Sequence, residues 1–160
     1  MGFFRHPFVV KRRRDGTFDV VVEPRLRDHL EHLFSELDGL LDEAPDDPVM
    51  RRLQPPAYLD DGEREAAYRL LAGEELRTSR RVAMERSLAA LDGGTLSEDE
   101  LWALLRSFNA LRLVLGTRLD VSEDPRDLLD LDPDHPDAPV VAAYEQLGFL
   151  QYVVLTALDR

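Results

Sequence analysis

Residues 97–121, SEDELWALLRSFNALRLVLGTRLDV, decide the fold. Ser97 and Glu100 have the spacing of a capping box, in which each side chain accepts a hydrogen bond from the other residue's backbone N–H. Trp102 and Val114 lie off the main apolar face, so the helix is apolar around much of its circumference. We expect such a helix at the centre of a bundle. Its main face carries, at helical spacing, Leu101, Leu104, Leu105, Phe108, Leu111 and Leu115.

An N-terminal β-hairpin is predicted ahead of the helices. Asp15 and Gly16 separate two segments that are rich in aromatic and β-branched residues, which is a strong hairpin signal. We expect strands near residues 3–11 and 17–22. The basic tip of this hairpin consists of Lys11, Arg12, Arg13 and Arg14.

Two helices are predicted between the hairpin and the central stretch. Leucines and Phe34 recur with helical spacing from Pro24 to about Glu43. Residues 63–91 predict a second helix, in which Gly73 marks a break or kink. The apolar patches of this second helix are Ala67, Leu70 and Leu71 at its start and Val82, Ala83, Leu88 and Leu91 at its end.

A last helix and two loops complete the expected fold. Residues 138–159 carry apolar side chains at helical spacing, and the segment before them is acidic and contains proline. Residues 44–56 contain four prolines and no apolar period, which predicts a loop. The fold class is therefore mainly α, in a single domain of residues 1–160. A hairpin over residues 1–23 precedes a bundle of four to five helices over residues 24–160.

The composition restricts the function. The 160 residues include 32 acids and 20 bases, so the net charge of −12 repels nucleic acid and anionic membranes outside any local basic patch. Cysteine is absent, which removes disulfides, thiolate metal sites and cysteine nucleophiles. Residues 139–158 are the most apolar segment, but Glu145 and Gln151 make them a poor membrane span. No signal peptide is predicted, and we expect a cytoplasmic protein.

His29, His32 and Glu36 are the candidates for a metal site, because they share one side of the first predicted helix. A metal-dependent enzyme that uses the two histidines with loop acids is one hypothesis. The alternative, which we favour, is a solvated helix face with a His–Glu pair. No catalytic motif and no phosphate-binding glycine loop is found. We therefore expect no enzymatic activity, no catalytic residue, no metal site and no cofactor.

Two sets of basic residues are candidates for contact with another macromolecule. The hairpin tip can lie along a nucleic-acid backbone as a basic β-ribbon. Its alternative role is to keep the hairpin soluble and to discourage edge pairing. Arg77 and Arg81 are four residues apart on one face of the second helix. Their alternative role is to form surface ion pairs with Glu74, Glu75 and Glu85 of the same helix.

Asn109, Arg112 and Arg118 interrupt the apolar central helix. A buried polar group without a partner costs roughly 1–3 kcal/mol. We therefore expect Asn109 and Arg112 to bond to a loop or to an acid such as Asp60 or Asp61. Either a network that organises the core or a ligand site explains the pair.

Three stretches of the chain together resemble one known family: RLQPPAYLDDGEREAAYRLL (residues 52–71), ELRTSRR (residues 75–81) and LWALLRSFNALRLVLGTRLDV (residues 101–121). It is the actinobacterial family long described as a domain of unknown function and later named for an oxidative-stress transcriptional regulator, AosR. The residues that match its pattern are Arg52, Leu53, Pro56, Ala57, Tyr58, Asp60, Leu76, Arg77, Trp102, Asn109, Leu111, Arg112, Leu113, Leu115, Gly116, Thr117, Arg118 and Leu119.

The resemblance implies a cytoplasmic regulator that acts with a sigma factor on genes of cysteine and redox metabolism. It also implies a gene that often lies near that of the ClpS protease adaptor. A thiol switch is the redox sensor proposed for that family. This chain has no cysteine, so thiol sensing cannot operate in it.

We therefore expect a non-enzymatic transcriptional regulator that binds a sigma factor, RNA polymerase or another transcription protein. We expect a homodimer, weak DNA contact at most, and no membrane contact. The alternative is an adaptor or interaction protein of the Clp proteolysis system. The candidate binding residues are Lys11, Arg12, Arg13, Arg14, Tyr58, Arg77, Arg81, Asn109, Arg112 and Arg118.

Overall fold

The computed structural model describes residues 6–43, 47–50, 53, 57–120 and 131–160. The protein is mainly helical, and its described part contains four α-helices and an N-terminal antiparallel hairpin, which confirms the predicted fold class. The elements in chain order are β1 (Phe8–Arg12), β2 (Phe18–Val22), α1 (Pro24–Glu43), a 3₁₀ turn (Pro48–Met50), α2 (Gly62–Ala90), β3 (Gly94–Leu96), α3 (Glu98–Arg118) and α4 (Ala138–Leu158).

The hairpin closes where Asp15 and Gly16 predict it. Gly16 has a φ of 84°, which glycine adopts without strain. The Asp15 carboxylate accepts hydrogen bonds from the Thr17 hydroxyl at 2.6 Å and from the Thr17 N–H at 3.1 Å. The bond from the hydroxyl has the larger effect, and the two bonds together hold the pKa of Asp15 below its usual value. The first strand begins at Phe8 rather than at residue 3, and residues 1–5 lie outside the described part of the chain.

A third strand, β3, extends the hairpin into an antiparallel sheet of order β1-β2-β3. Phe18 lies opposite Arg12 on one side and opposite Leu96 on the other. Strand β3 was not predicted, because three residues are too few to show an alternating pattern. The sheet therefore holds the start of α3 against the hairpin.

Helix α3 begins with the predicted capping box. The Ser97 hydroxyl oxygen accepts from the Glu100 N–H at 3.2 Å, and the Glu100 carboxylate accepts from the Ser97 N–H at 2.8 Å. Two of the four orphan N–H groups of the first turn region are thereby paired. The start of α3 is therefore fixed by side chains of its own first turn.

Helix α3 is also the centre of the fold, as predicted. It packs against α1, α2 and α4. Phe108 is fully buried, with its ring stacked 6.4 Å from that of Phe34 and edge-on at 6.0 Å to that of Phe8. Trp102, by contrast, is 39% exposed, so the apolar circumference of α3 is not covered everywhere. One hydrophobic cluster joins α3 to the hairpin and to the other helices.

Helix α2 runs unbroken for 29 residues through Gly73, so the predicted break there is wrong. A glycine costs a helix interior only about 1 kcal/mol, and Ala72 and Glu74 beside it are strong helix formers. The buried residues of α2, all of whose positions are described, are Met84, Ser87 and Ala90. The C-terminal third of α2 therefore attaches the helix to the core.

The two predicted loops fall partly outside the described residues. Residues 44–46, 51–52 and 54–56 of the first loop and residues 121–130 of the second are among those not described. Within the first loop, Leu53 is buried.

By length and composition alone helix α4 could cross a membrane, but a core helix of a soluble protein has the same properties, so this does not overturn the prediction of a poor span. Its side chains Leu147, Leu150 and Val154 are buried. On the other side, Phe149 is 45% and Tyr152 is 66% exposed. A helix that packs one face into a folded core is consistent with a soluble protein.

Two serines join α2 to α3 inside the core. Ser87 is 1% and Ser107 is 4% exposed, and their hydroxyl oxygens are hydrogen-bonded at 2.8 Å. The Ser87 oxygen also lies 2.8 Å from the carbonyl oxygen of Ala83. The hydrogen bond between the two buried hydroxyls offsets the free energy that each loses when it gives up its bonds to water.

We expect Ser87→Ala to lower the free energy of unfolding by about 1–2 kcal/mol, because it leaves the Ser107 hydroxyl buried without its partner. Ser107→Ala should cost less, since Ser87 keeps its bond to the Ala83 carbonyl. The double variant removes both hydroxyls and should lose less than the sum of the single losses. Urea denaturation of the four proteins measures this coupling. Strictly additive losses would show that the two hydroxyls do not interact.

Candidate functional site

A basic cleft lies between the hairpin and the C-terminal part of α4. Its volume is about 610 Å³. None of the residues that line it is acidic, on a chain whose net charge is −12. We call it the basic cleft, and its lining residues are Val10, Lys11, Arg12, Arg13, Arg14, Tyr152, Val153, Thr156, Ala157 and Arg160.

The cleft forms because β1 turns its inner face toward α4. Side chains alternate along a strand, so Phe8, Val10 and Arg12 share that face. Phe8 is buried and Val10 packs against the core, whereas Arg12 lies at the exposed end of the strand. The Arg12 guanidinium carbon lies 5.4 Å from the centre of the Phe18 ring. This cation–π contact holds the Arg12 charge at the edge of the core.

Arg13 differs from its neighbours because acidic and hydroxyl groups hold it on the sheet. Its Nη1 donates to Asp19 Oδ1 at 3.2 Å and to Thr95 Oγ1 at 3.1 Å. Its Nε lies 3.9 Å from the Asp15 carboxylate. Two acids therefore offset the Arg13 charge, and the cleft's positive potential comes chiefly from Lys11, Arg12, Arg14 and Arg160.

Exposed apolar side chains accompany these charges. Tyr152 lines the cleft and is 66% exposed. Phe149 and Leu155 lie one turn of α4 to either side, and each is 45% exposed. Cations beside aromatic and aliphatic groups suit a partner that presents both acidic and apolar side chains.

The hairpin residues of this cleft were predicted from the sequence, whereas its α4 residues were not. Tyr152 and Arg160 are about 140 residues away from the hairpin along the chain, so no local pattern links them. A signal for α4 was nevertheless present. Once Leu147, Leu150 and Val154 are assigned to the core, Tyr152 falls on the opposite face of the helix.

Asn109 and Arg112 contact α4, so the expectation that they bond to Asp60 or Asp61 is wrong. Gln151 of α4 bridges them, donating from Nε2 to Asn109 Oδ1 and accepting at Oε1 from Arg112 Nη1, both at 3.3 Å. Asp61 instead caps α2, where its carboxylate accepts from the Arg64 N–H at 3.1 Å.

Arg112 also packs between α3 and α4. Its guanidinium carbon lies 4.6 Å from the centre of the Tyr144 ring. A side chain at Gly148 would place its first carbon 3.5 Å from the same group. The Nε of Arg112 is buried without a hydrogen-bond partner. These contacts favour the first of the two explanations left open by the sequence, a network that organises the contact between two helices.

Arg81 joins α2 to α1. Its Nε donates to Asp38 at 2.9 Å, and its Nη2 pairs with Asp42. The bond to Asp38, followed by that to Asp42, holds the pKa of the Arg81 guanidinium above its usual value. The predicted pairing with glutamates of its own helix is therefore wrong for Arg81, because α1 lies alongside and offers two aspartates.

The remaining predicted residues lie elsewhere. The Tyr58 ring is 6.2 Å from that of Tyr68 and lies under the Arg64 guanidinium, near the start of α2. Arg77 is half-buried further along α2. Arg118, at the end of α3, lines a separate cavity of about 270 Å³ beside α1. The structure thus gathers the four hairpin cations into one site and does not bring the other six candidates to it.

His29 and His32 are both exposed on α1. The Nε2 of His32 lies 3.8 Å from the Glu36 carboxylate, as in the His–Glu pair that we favoured. In the part of the chain that the structure describes, no three or more His, Asp or Glu side chains are grouped to hold a metal ion.

Comparison with known proteins gives one result. A protein-family model described as a domain of unknown function (DUF2017) matches residues 5–158. The matched region includes almost all of the basic cleft and all four described helices. No curated protein and no solved structure matches the chain.

Proposed function

The chain belongs to the DUF2017 family, and we propose that it is an AosR-like, non-enzymatic transcriptional regulator of the cytoplasm. It binds a sigma factor or an RNA polymerase subunit through the basic cleft. The observation that carries this proposal is the cluster of Lys11, Arg12, Arg14 and Arg160 around the exposed Tyr152. The resemblance of the chain to the AosR family supplies the class of partner.

The charge distribution favours a protein partner over DNA. The net charge of −12 repels a phosphate backbone everywhere outside the cleft. A protein segment with alternating acidic and apolar side chains instead satisfies both the cations and Phe149, Tyr152 and Leu155. Direct DNA contact is therefore weak and strongly dependent on salt. A redox signal, if it reaches this regulator, does so without a thiol in these 160 residues.

The test is binding of the purified chain to purified sigma factors and core RNA polymerase, measured by calorimetry or by surface plasmon resonance. The variant Lys11→Glu/Arg14→Glu/Arg160→Glu reverses three exposed cations of the cleft. We expect it to lower the affinity by roughly tenfold or more, mainly because like charges now oppose each other. The effect should shrink as salt screens the charges.

A matched control is Arg25→Glu/Arg86→Glu/Arg106→Glu, which makes the same change in net charge at exposed positions outside the cleft. It should bind nearly as the wild type does. Equal losses for both variants would refute the cleft as the contact surface. Binding to ClpS or to a Clp unfoldase, with none to any transcription protein, would replace this proposal by the adaptor function.

A further inference from the structure

The N-terminal part of α2 stands away from the core with large apolar side chains in solvent. Leu70 is 84% and Leu71 is 82% exposed, and Leu59, just before the helix, is 84% exposed. We call residues 62–78 the α2 arm. An isolated helix of this length is marginal in water, and it normally gains its stability by burying an apolar face.

The arm is bare because α1 is too short to cover it. Arg81 of α2 pairs with Asp38 and Asp42, and α1 ends at Glu43. Continuing from Arg81 toward the start of α2 in steps of three or four residues, the same face presents Thr78, Glu74, Leu70, Ala67 and Glu63. A second helix antiparallel to α2 would fill the place that a longer α1 would take.

The opposite side of the arm is already braced by its own chain. The Glu65 carboxylate accepts from the N–H groups of Ala57 and Tyr58, both at 2.9 Å. These bonds, with that of the Tyr58 N–H first, hold the pKa of Glu65 below its usual value. Tyr58 in turn lies edge-on to Tyr68. The brace orients the arm and leaves its Leu70–Leu71 side open.

We propose that a second copy of this chain covers this side, with the two arms antiparallel and the twofold axis between Leu70 and Leu71. The charges of the arm select this occupant. The Leu70 face carries Glu63 near its start and Arg77 near its far end, while Arg80 and Arg81, just beyond the arm, are held by the Leu53 carbonyl and by Asp38 and Asp42 of the same chain. Antiparallel pairing sets Glu63 of each copy beside Arg77 of the other, whereas parallel pairing would oppose like charges.

The register follows from the axis. Leu70 of one copy faces Leu71 of the other, Ala67 faces Glu74, and Glu63 faces Thr78, with Arg77 beside it. The arm is about 25 Å long. A pair of such helices buries on the order of 1,000 Å² in total, at the lower end of specific interfaces, so the dimer is concentration-dependent.

Sedimentation equilibrium of the full chain tests the proposal. The expected mass rises with concentration from that of one 18.3 kDa chain to that of two. Leu70→Glu/Leu71→Glu should stay monomeric at every concentration at which the wild type is dimeric. Phe149→Glu/Tyr152→Glu, which alters the exposed apolar residues of α4 instead, should dimerise as the wild type does. A wild type that stays monomeric throughout, or a dimer that survives Leu70→Glu/Leu71→Glu, would overturn the proposal.

Charge exchange tests the orientation of the arms. Glu63→Arg and Arg77→Glu should each weaken the dimer, and the double variant should restore it.

The absence of native cysteine allows a second measurement. Leu71→Cys should form a disulfide-linked dimer on oxidation, while Val21→Cys, at another exposed apolar position, should not. Equal cross-linking of the two cysteine variants would contradict the register. Neither the charge exchange nor the cross-linking depends on the proposed function, because the basic cleft contributes no residue to the arm.

Discussion

Replacing Phe108 with alanine should lower the free energy of unfolding by about 3–5 kcal/mol, the typical cost of emptying a buried aromatic site. Phe108 is fully buried, and its ring contacts those of Phe8 in β1 and Phe34 in α1. One substitution therefore loosens the hairpin, the first helix and the central helix together. Urea denaturation, monitored by far-ultraviolet circular dichroism, measures the change in the free energy of unfolding.

Phe149→Ala is the matched control, because it removes the same ring from a position that is 45% exposed. It should cost less than about 1 kcal/mol, since much of that ring is already in water. A typical domain is stable by about 5–15 kcal/mol, so Phe108→Ala should still fold and be measurable. Equal losses for the two variants would mean that α3 is not the centre of the core.

The position of α3 was predictable because its signals are local. The capping box needs only Ser97 and Glu100, and the apolar stripe needs only helical spacing. The hairpin turn is equally local, since it depends on Asp15 and Gly16. The cap, the apolar stripe and the turn each depend only on residues that are close together in the sequence, and the structure confirms all three.

The partners of polar side chains were less predictable, because they come from distant parts of the chain. Asn109 and Arg112 are bridged by Gln151, about 40 residues away, and Arg81 bonds to two aspartates of α1. The sequence shows that a buried guanidinium needs hydrogen-bond partners, but it does not show which residues they are. Helical spacing suggested glutamates of α2 for Arg81, and Asp60 or Asp61 was expected for Arg112, but packing supplied different partners for both.

The arm shows a second limit of sequence patterns. Leu70 and Leu71 have the helical spacing of core residues, and the sequence analysis treated them as an apolar patch of the second helix. The structure leaves both more than 80% exposed. A hydrophobic pattern predicts that a face will be buried, but it does not state whether the covering helix belongs to the same chain.

The two proposed surfaces have different consequences for binding. The basic cleft is formed within one chain, so a monomer can occupy it with a partner. An arm-mediated dimer carries two such clefts, and a partner with two acidic segments would gain avidity from them. Leu70→Glu/Leu71→Glu should then weaken binding to a divalent partner and leave the affinity of each single cleft unchanged.

Replacing Gly93 with alanine should lower the free energy of unfolding by about 2–3 kcal/mol. Gly93 follows the end of α2 with a φ of 84°, and a side chain there would place its first carbon 3.3 Å from the Val20 carbonyl oxygen. The variant therefore combines a conformation that L-residues resist with a close approach to the backbone of β2. Because Gly94 pairs with Val20, this strain acts directly on the join between α2 and the sheet.

Gly39→Ala should change the free energy of unfolding in the opposite direction, which makes it the control for Gly93→Ala. Gly39 lies inside α1 with open space where a side chain would go. Alanine there should raise the free energy of unfolding by about 0.5–1 kcal/mol, because it restricts the unfolded chain and favours the helix. The same chemical change thus destabilises one site and stabilises the other. A stabilising effect of Gly93→Ala would show that α2 does not end in the tight turn that leads the chain into β3 and the start of α3.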